Sequence, residues 1–147
     1  MNRPAALWWL GVHGGAGENT LSATVPESRA AGHAWPISHD GLPSNVILVA
    51  RSNANGLAAA QRAATEWASG ALPTIRLLGL VIVADSHGKL PKPLRDLAQV
   101  VSGGVPQVWQ IPWVEAWRLG EPVSLDASPK EVRSLAVDAS ALSTSIA

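Results

Sequence analysis

Val46-Ile47-Leu48-Val49-Ala50 is an unbroken apolar run with three β-branched residues and nothing polar to offer to water. A strand of this kind is covered on both faces, as in a parallel sheet. In the following segment Leu57, Ala60, Ala64 and Trp67 fall at helical spacing, and Gly70 supplies a stop. Leu77 to Ala84 is a second apolar strand. Strand, helix and strand in this order make a parallel crossover unit.

The pattern continues on both sides. C-terminally, Pro93 opens a helix marked by Leu94, Leu97 and Val101. Val108 to Ile111 forms a further strand, followed by a helical turn around Glu115-Ala116-Trp117. Ser128-Pro129-Lys130-Glu131 reads as a capping box, and Val132, Leu135, Ala136 and Leu142 give the helix behind it an apolar face. N-terminally, Leu7 to Val12 is a short strand running into Gly14-Gly15-Ala16-Gly17, and Glu18 to Val25 fits two helical turns before Pro26. Gly32 to Ser44 is rich in Gly, Pro and His, with room for a brief strand around Trp35. The expected fold is α/β: one domain over 1–147, a mainly parallel sheet of about 4–6 strands, and helices on both faces.

Composition narrows the function. Hydrophobic residues make up 47% and charged residues 15%, enough for one core and too few charges for disorder. Net charge is zero and basic residues do not cluster, which argues against a nucleic-acid or anionic-membrane surface. The chain has no cysteine, so disulfides, thiolate zinc sites and thiol nucleophiles are excluded. No apolar run approaches the roughly 18–20 residues of a membrane span, and the first ten residues lack a signal-peptide pattern. A cytoplasmic protein is expected.

The strongest chemical signal is His13-Gly14-Gly15-Ala16-Gly17-Glu18-Asn19-Thr20. Glycines between a strand and a helix let the backbone turn sharply and aim N–H groups at an anion. The octet resembles the deviant phosphate loop K-G-G-x-G-K-T-T of the ParA/MinD-type P-loop ATPases, keeping Gly14, Gly15, Gly17 and Thr20. Val46 to Arg51 with its following helix is similar to the family's strand after the catalytic aspartate. Arg76 to Asp85 is similar to the strand that ends at the base-contacting Asn, with Asp85 near that place. Ile111-Pro112-Trp113 through Gly120-Glu121-Pro122-Val123 resembles the family's I-P-x(8–10)-G-x-P-V segment. The resemblance implies a reduced P-loop fold and a degenerate nucleotide site of Gly14, Gly15, Gly17, Glu18, Asn19, Thr20 and Asp85.

The departures from the family pattern point away from catalysis. His13 and Glu18 stand where the family has lysines, and Asn19 where it has a Mg²⁺-binding hydroxyl. A carboxylate about 4 Å from a phosphate would repel it by roughly 4 kcal/mol at intermediate dielectric. Only 21–45 lie between Thr20 and the Val46 strand, and Asp40, the sole Asp there, follows no apolar run. The expectation is a pseudo-ATPase with no catalytic residues, no cofactor and no metal. Its alternative is a nucleotide switch or slow NTPase binding ATP or ADP with Mg²⁺, which needs a cation such as Arg51, Arg76 or a partner's arginine to offset Glu18.

Other groupings carry less. His13, His33, His39 and His87 with Asp40 or Asp85 match no familiar ligand spacing. Ser22 and Ser38 lack a nucleophile elbow. Trp109, Trp113 and Trp117, four apart and joined by Arg118, have the composition of a protein-contact hot spot or of core. Trp8 and Trp9, neighbours in a strand, must point to opposite faces. The resemblance implies a protein partner, such as an active ATPase of the same partition, conjugation or secretion system, and self-association.

Overall fold

The structure, a computed structural model, describes residues 5–37, 42–121 and 123–144, the side chains of Arg118 and Thr144 excepted. The chain runs β1 (Leu7–Gly11), α1 (Glu18–Ser22), β2 (Ser28–Gly32), β3 (Ser44–Arg51), α2 (Ala54–Ala68), β4 (Ile75–Val83), α3 (Lys92–Ser102), β5 (Val108–Ile111), α4 (Glu115–Arg118) and α5 (Lys130–Thr144). The five strands form one sheet in the order β2-β1-β3-β4-β5, and every pairing is parallel.

Alternation within the strands divides the core between two faces. Trp9, Ile47, Val81 and Ile111 pack with Leu21 of α1 and Val132, Leu135 and Ala139 of α5. Leu10, Leu48, Leu80 and Ile82 pack with Leu57 and Ala60 of α2 and Ala98 and Val101 of α3. The neighbours Trp8 and Trp9 therefore do serve opposite faces. Trp9 is fully buried and its Nε1 donates to Ser28 Oγ at 2.9 Å, while Trp8 is half-buried against the other cluster.

Three details depart from the sequence reading. The strand between α1 and β3 is Ser28–Gly32, ahead of Trp35, and it lies at the sheet edge with an exposed Arg29. Helix α1 is five residues long, because Ala23 and Thr24 already close the turn onto Thr20 and Leu21 carbonyls. The Ser128 hydroxyl donates to Ser124 O at 2.6 Å, in the turn preceding the helix that it was expected to cap. No helix among the described residues is long and apolar enough to cross a membrane.

One glycine is a packing requirement. A Cβ on Gly79, in β4, would meet Gln107 O at 2.5 Å and the Trp109 ring at 2.7 Å. Its absence seats Trp109, 8% exposed, whose Nε1 donates to Asp138 Oδ2 of α5 at 3.0 Å. Trp109 thereby leaves the set of contact candidates; the side chain of Arg118 lies outside the described residues.

Candidate functional site

The chain steps from β1 outward to β2, then returns past β1 to β3, β4 and β5. In such a doubly wound sheet the crevice beyond the carboxyl ends of β1 and β3 is where ligands bind. A cavity of about 390 Å³ opens there, lined by His13, Gly14, Gly15 and Thr20 after β1, by Arg51 at the end of β3 and by Asn53 just beyond it. Asp85 from beyond β4 and Trp113 and Trp117 from beyond β5 complete its wall. Four segments far apart in sequence thus meet at one edge.

The glycine loop is tied to the end of β3. Gly15 and Gly17 adopt φ of 74° and 109°, left-handed values that side chains disfavour. The Arg51 backbone N–H donates to His13 Nε2 at 2.9 Å, which places the ring proton on Nδ1, 2.9 Å from Gly14 O. Both nitrogens are therefore occupied, and His13 is a clasp rather than a base or a ligand. The Arg51 side chain reaches beneath the loop, with Nε donating to Gly15 O at 3.0 Å and one terminal nitrogen to Ala84 O at 3.3 Å. No carboxylate among the described residues lies within ion-pair distance of it.

Glu18 does not face the cavity. It is 5% exposed, and its carboxylate lies flat over Gly11 of β1, where a Cβ would stand 2.5 Å from Cδ and 2.9 Å from Oε1. Oε1 lies 3.8 Å from His33 Nε2, and the other ring nitrogen of His33 is held by Gly11 O at 2.8 Å. Oε2 is buried without a hydrogen-bond partner among the described residues. The repulsion expected between Glu18 and an anion in the loop is weakened, since the carboxylate is buried against Gly11 and does not line the cavity. Asn19 is exposed and outside the cavity lining.

Asn53 organises the opposite wall. Its Oδ1 accepts from Gly56 N–H at 2.7 Å, capping α2, while Nδ2 donates to Asp85 Oδ2 at 3.2 Å. The Asp85 backbone N–H donates to Ser52 Oγ at 3.0 Å. A polar residue directly before an apolar-periodic helix is a capping signal, so Asn53 was detectable; its second bond, to a residue 32 positions on, was not.

Of the residues proposed from sequence, Gly14, Gly15, Thr20, Asp85, Trp113 and Trp117 line the one cavity, and Gly17 shapes its loop. Trp113 Nε1 donates to Glu115 Oε2 at 2.7 Å, and its ring lies tilted against His87 at 5.2 Å. Trp117 also packs on the core. The histidines are scattered: His13 clasps β3, His33 faces Glu18 and His87 faces Glu115. Among the described residues no three His, Asp or Glu side chains gather as a metal site; His39, Asp40 and Ser38 lie outside those residues.

No curated protein and no solved structure matches the chain. Residues 5–136 match the sequence profile of a family described as being of unknown function, DUF6668. That match spans all five strands and the first half of α5, and the chain belongs to the DUF6668 family.

Proposed function

We propose that this chain is a degenerate ParA/MinD-like binding module that does not hydrolyse nucleotide and acts by engaging a protein partner at the carboxyl edge of its sheet. The observation that carries the reading is how the two lysine positions of the family loop are used. His13 is consumed by backbone bonds to Gly14 and Arg51, and Glu18 is buried over Gly11. Neither can neutralise a transferring phosphoryl group, and this neutralisation is most of what such enzymes supply. Trp113 and Trp117, at the mouth of the cavity, are the contact residues, and the resemblance favours an ATPase of the same system or a second copy of the chain. We place the module in the cytoplasm.

Purified protein incubated with Mg²⁺-ATP or Mg²⁺-GTP should release no phosphate above the blank; turnover removed by Thr20→Ala would overturn the reading. Trp113→Ala should lose the partners that tagged wild-type protein retains. Equal recovery by the variant would remove Trp113 from the contact.

A second reading, nucleotide binding without hydrolysis, is favoured by Arg51. Arg51 lines the cavity and no described carboxylate lies within ion-pair distance of it, so the offsetting cation comes from the end of β3. Calorimetric titration with ATP, ADP and GTP, with and without Mg²⁺, tests it directly.

A further inference from the structure

Glu18 and His33 face one another away from the lining of the glycine-loop cavity. The β1–β2 ladder pairs Leu10 with Gly32, so His33, the next residue, falls beside Gly11. There its Nδ1 lies 2.8 Å from Gly11 O. A carbonyl oxygen only accepts, so Nδ1 carries the ring proton, and Nε2 of the neutral ring bears a lone pair. Nε2 lies 3.8 Å from Glu18 Oε1, a second acceptor, and that separation is too long for a hydrogen bond. Glu18 Oε2 is buried with no hydrogen-bond partner among the described residues, in a side chain only 7% exposed. Two facing acceptors and an orphaned carboxylate oxygen at one place call for a cation.

We propose that Glu18 and His33 bind a divalent transition-metal ion of the zinc class, which fastens the first residue of α1 to the segment behind the edge strand β2. Zinc takes imidazole nitrogen and carboxylate oxygen at about 2.0–2.2 Å, so one ion reaches Nε2 and Oε1 together at an angle somewhat wider than tetrahedral. Metal-bound histidines ordinarily donate their other ring N–H to a backbone carbonyl or carboxylate, which fixes the tautomer and the ring; Gly11 O holds His33 in this way. Chelation by both carboxylate oxygens would give Oε2 the partner it lacks. A mixed nitrogen and oxygen donor set favours zinc over Mg²⁺ and Ca²⁺, which take oxygen. The His33 side chain is half exposed, so the ion enters from solvent on that side and water fills its remaining positions. The other described His–carboxylate pair, His87 with Glu115, lacks these features. Both side chains are exposed, and Glu115 Oε2 already accepts from Trp113.

The test is calorimetric titration of the whole, chelator-treated chain with zinc chloride and with magnesium chloride, in the absence of nucleotide, so that it stands apart from the readings above. Wild type is compared with Glu18→Gln, His33→Ala and His87→Ala, and circular dichroism shows which variants are folded. Wild type should bind one Zn²⁺ per chain in preference to Mg²⁺, and its melting temperature should rise as zinc is added. Affinity should fall by about tenfold or more in Glu18→Gln and in His33→Ala and stay unchanged in His87→Ala. Cobalt(II) gives a second readout, visible absorption bands that either substitution at the site removes. Should Glu18→Gln fail to fold, the half-exposed His33→Ala decides the question. No zinc binding would mean an imidazolium–carboxylate contact only and overturns the proposal. Zinc binding that survives His33→Ala, or that is lost in His87→Ala, would mean an adventitious ion only and overturns it as well.

Discussion

Gly11 and Glu18 form a pair that a double-mutant cycle can isolate. The backbone of Gly11 is not left-handed, so alanine meets no conformational bar there. Its methyl group would nevertheless stand within 3 Å of three carboxyl atoms of Glu18. Forcing an extra methyl into occupied space costs about 1–3 kcal/mol. With Glu18→Ala that space is vacant, and Gly11→Ala should instead stabilise by about 0.4–1 kcal/mol through the stiffer unfolded chain. The coupling between the two changes is then about 1.5–4 kcal/mol, well above the 0.3–0.5 kcal/mol scatter of independent sites. Urea unfolding of the four proteins measures it. In a thermal melt, the single Gly11→Ala variant should fall by about 2–4 °C for each kcal/mol lost. Additive effects within that scatter would mean that Glu18 does not occupy the seat over Gly11, and the account of the loop's charge would fail with it.

Other substitutions probe neighbouring contacts. His13→Ala strips the acceptor from the Arg51 backbone N–H and should cost about 1–3 kcal/mol, read by chemical denaturation; an unchanged midpoint would mean water replaces the ring without loss. Arg51→Lys keeps the charge but cannot reach Gly15 O and Ala84 O with one planar fork, so it should destabilise the protein and broaden the amide resonances of the loop. Gly79→Ala drives a methyl against Gln107 O and the Trp109 ring and should cost at least about 1–3 kcal/mol, in contrast to a near-neutral Gly14→Ala, where the space is open. Asn53→Ala removes the α2 cap and the tie to Asp85 together and should lower stability by about 0.5–2 kcal/mol, with faster hydrogen exchange in the first turn of α2.

Of the strands legible in the sequence, β3 and β4 are buried on both faces, while β5 lies at an edge and was marked by its apolar residues alone. β3 and β4 announce themselves through unbroken apolar runs. β2 does not, because Ser28-Arg29-Ala30-Ala31-Gly32 lies at the edge, pairs on one side only and contains no β-branched or aromatic residue. Glycines identified the loop, since left-handed turns leave a mark in composition. Where its side chains point was hidden. The seat of Glu18 depends on the missing Cβ of Gly11, seven positions earlier, and on His33 in the segment after β2. The spacing of Trp109, Trp113 and Trp117 implied a common face only on a helix. Trp109 belongs to a strand and Trp113 to the loop after Pro112, so no helical face joins all three, although Trp113 and Trp117 line one cavity. Arg51 was visible as a charge at a strand end, but its reach to Gly15 is a contact across 36 positions.

The last helix has a consequence for how the protein must be made. Elements α2 and α3 cover their face of the sheet as soon as β4 and β5 are in place, but the opposite face waits for α5. During synthesis a nascent chain ending near residue 125 would already hold all five strands, with Trp9, Val81 and Ile111 lacking the cover that Val132, Leu135 and Ala139 bring. Ribosome-stalled or prematurely terminated products should accordingly be the forms that chaperones capture and that aggregate. Docking of α5 is the step that completes the cover of this face.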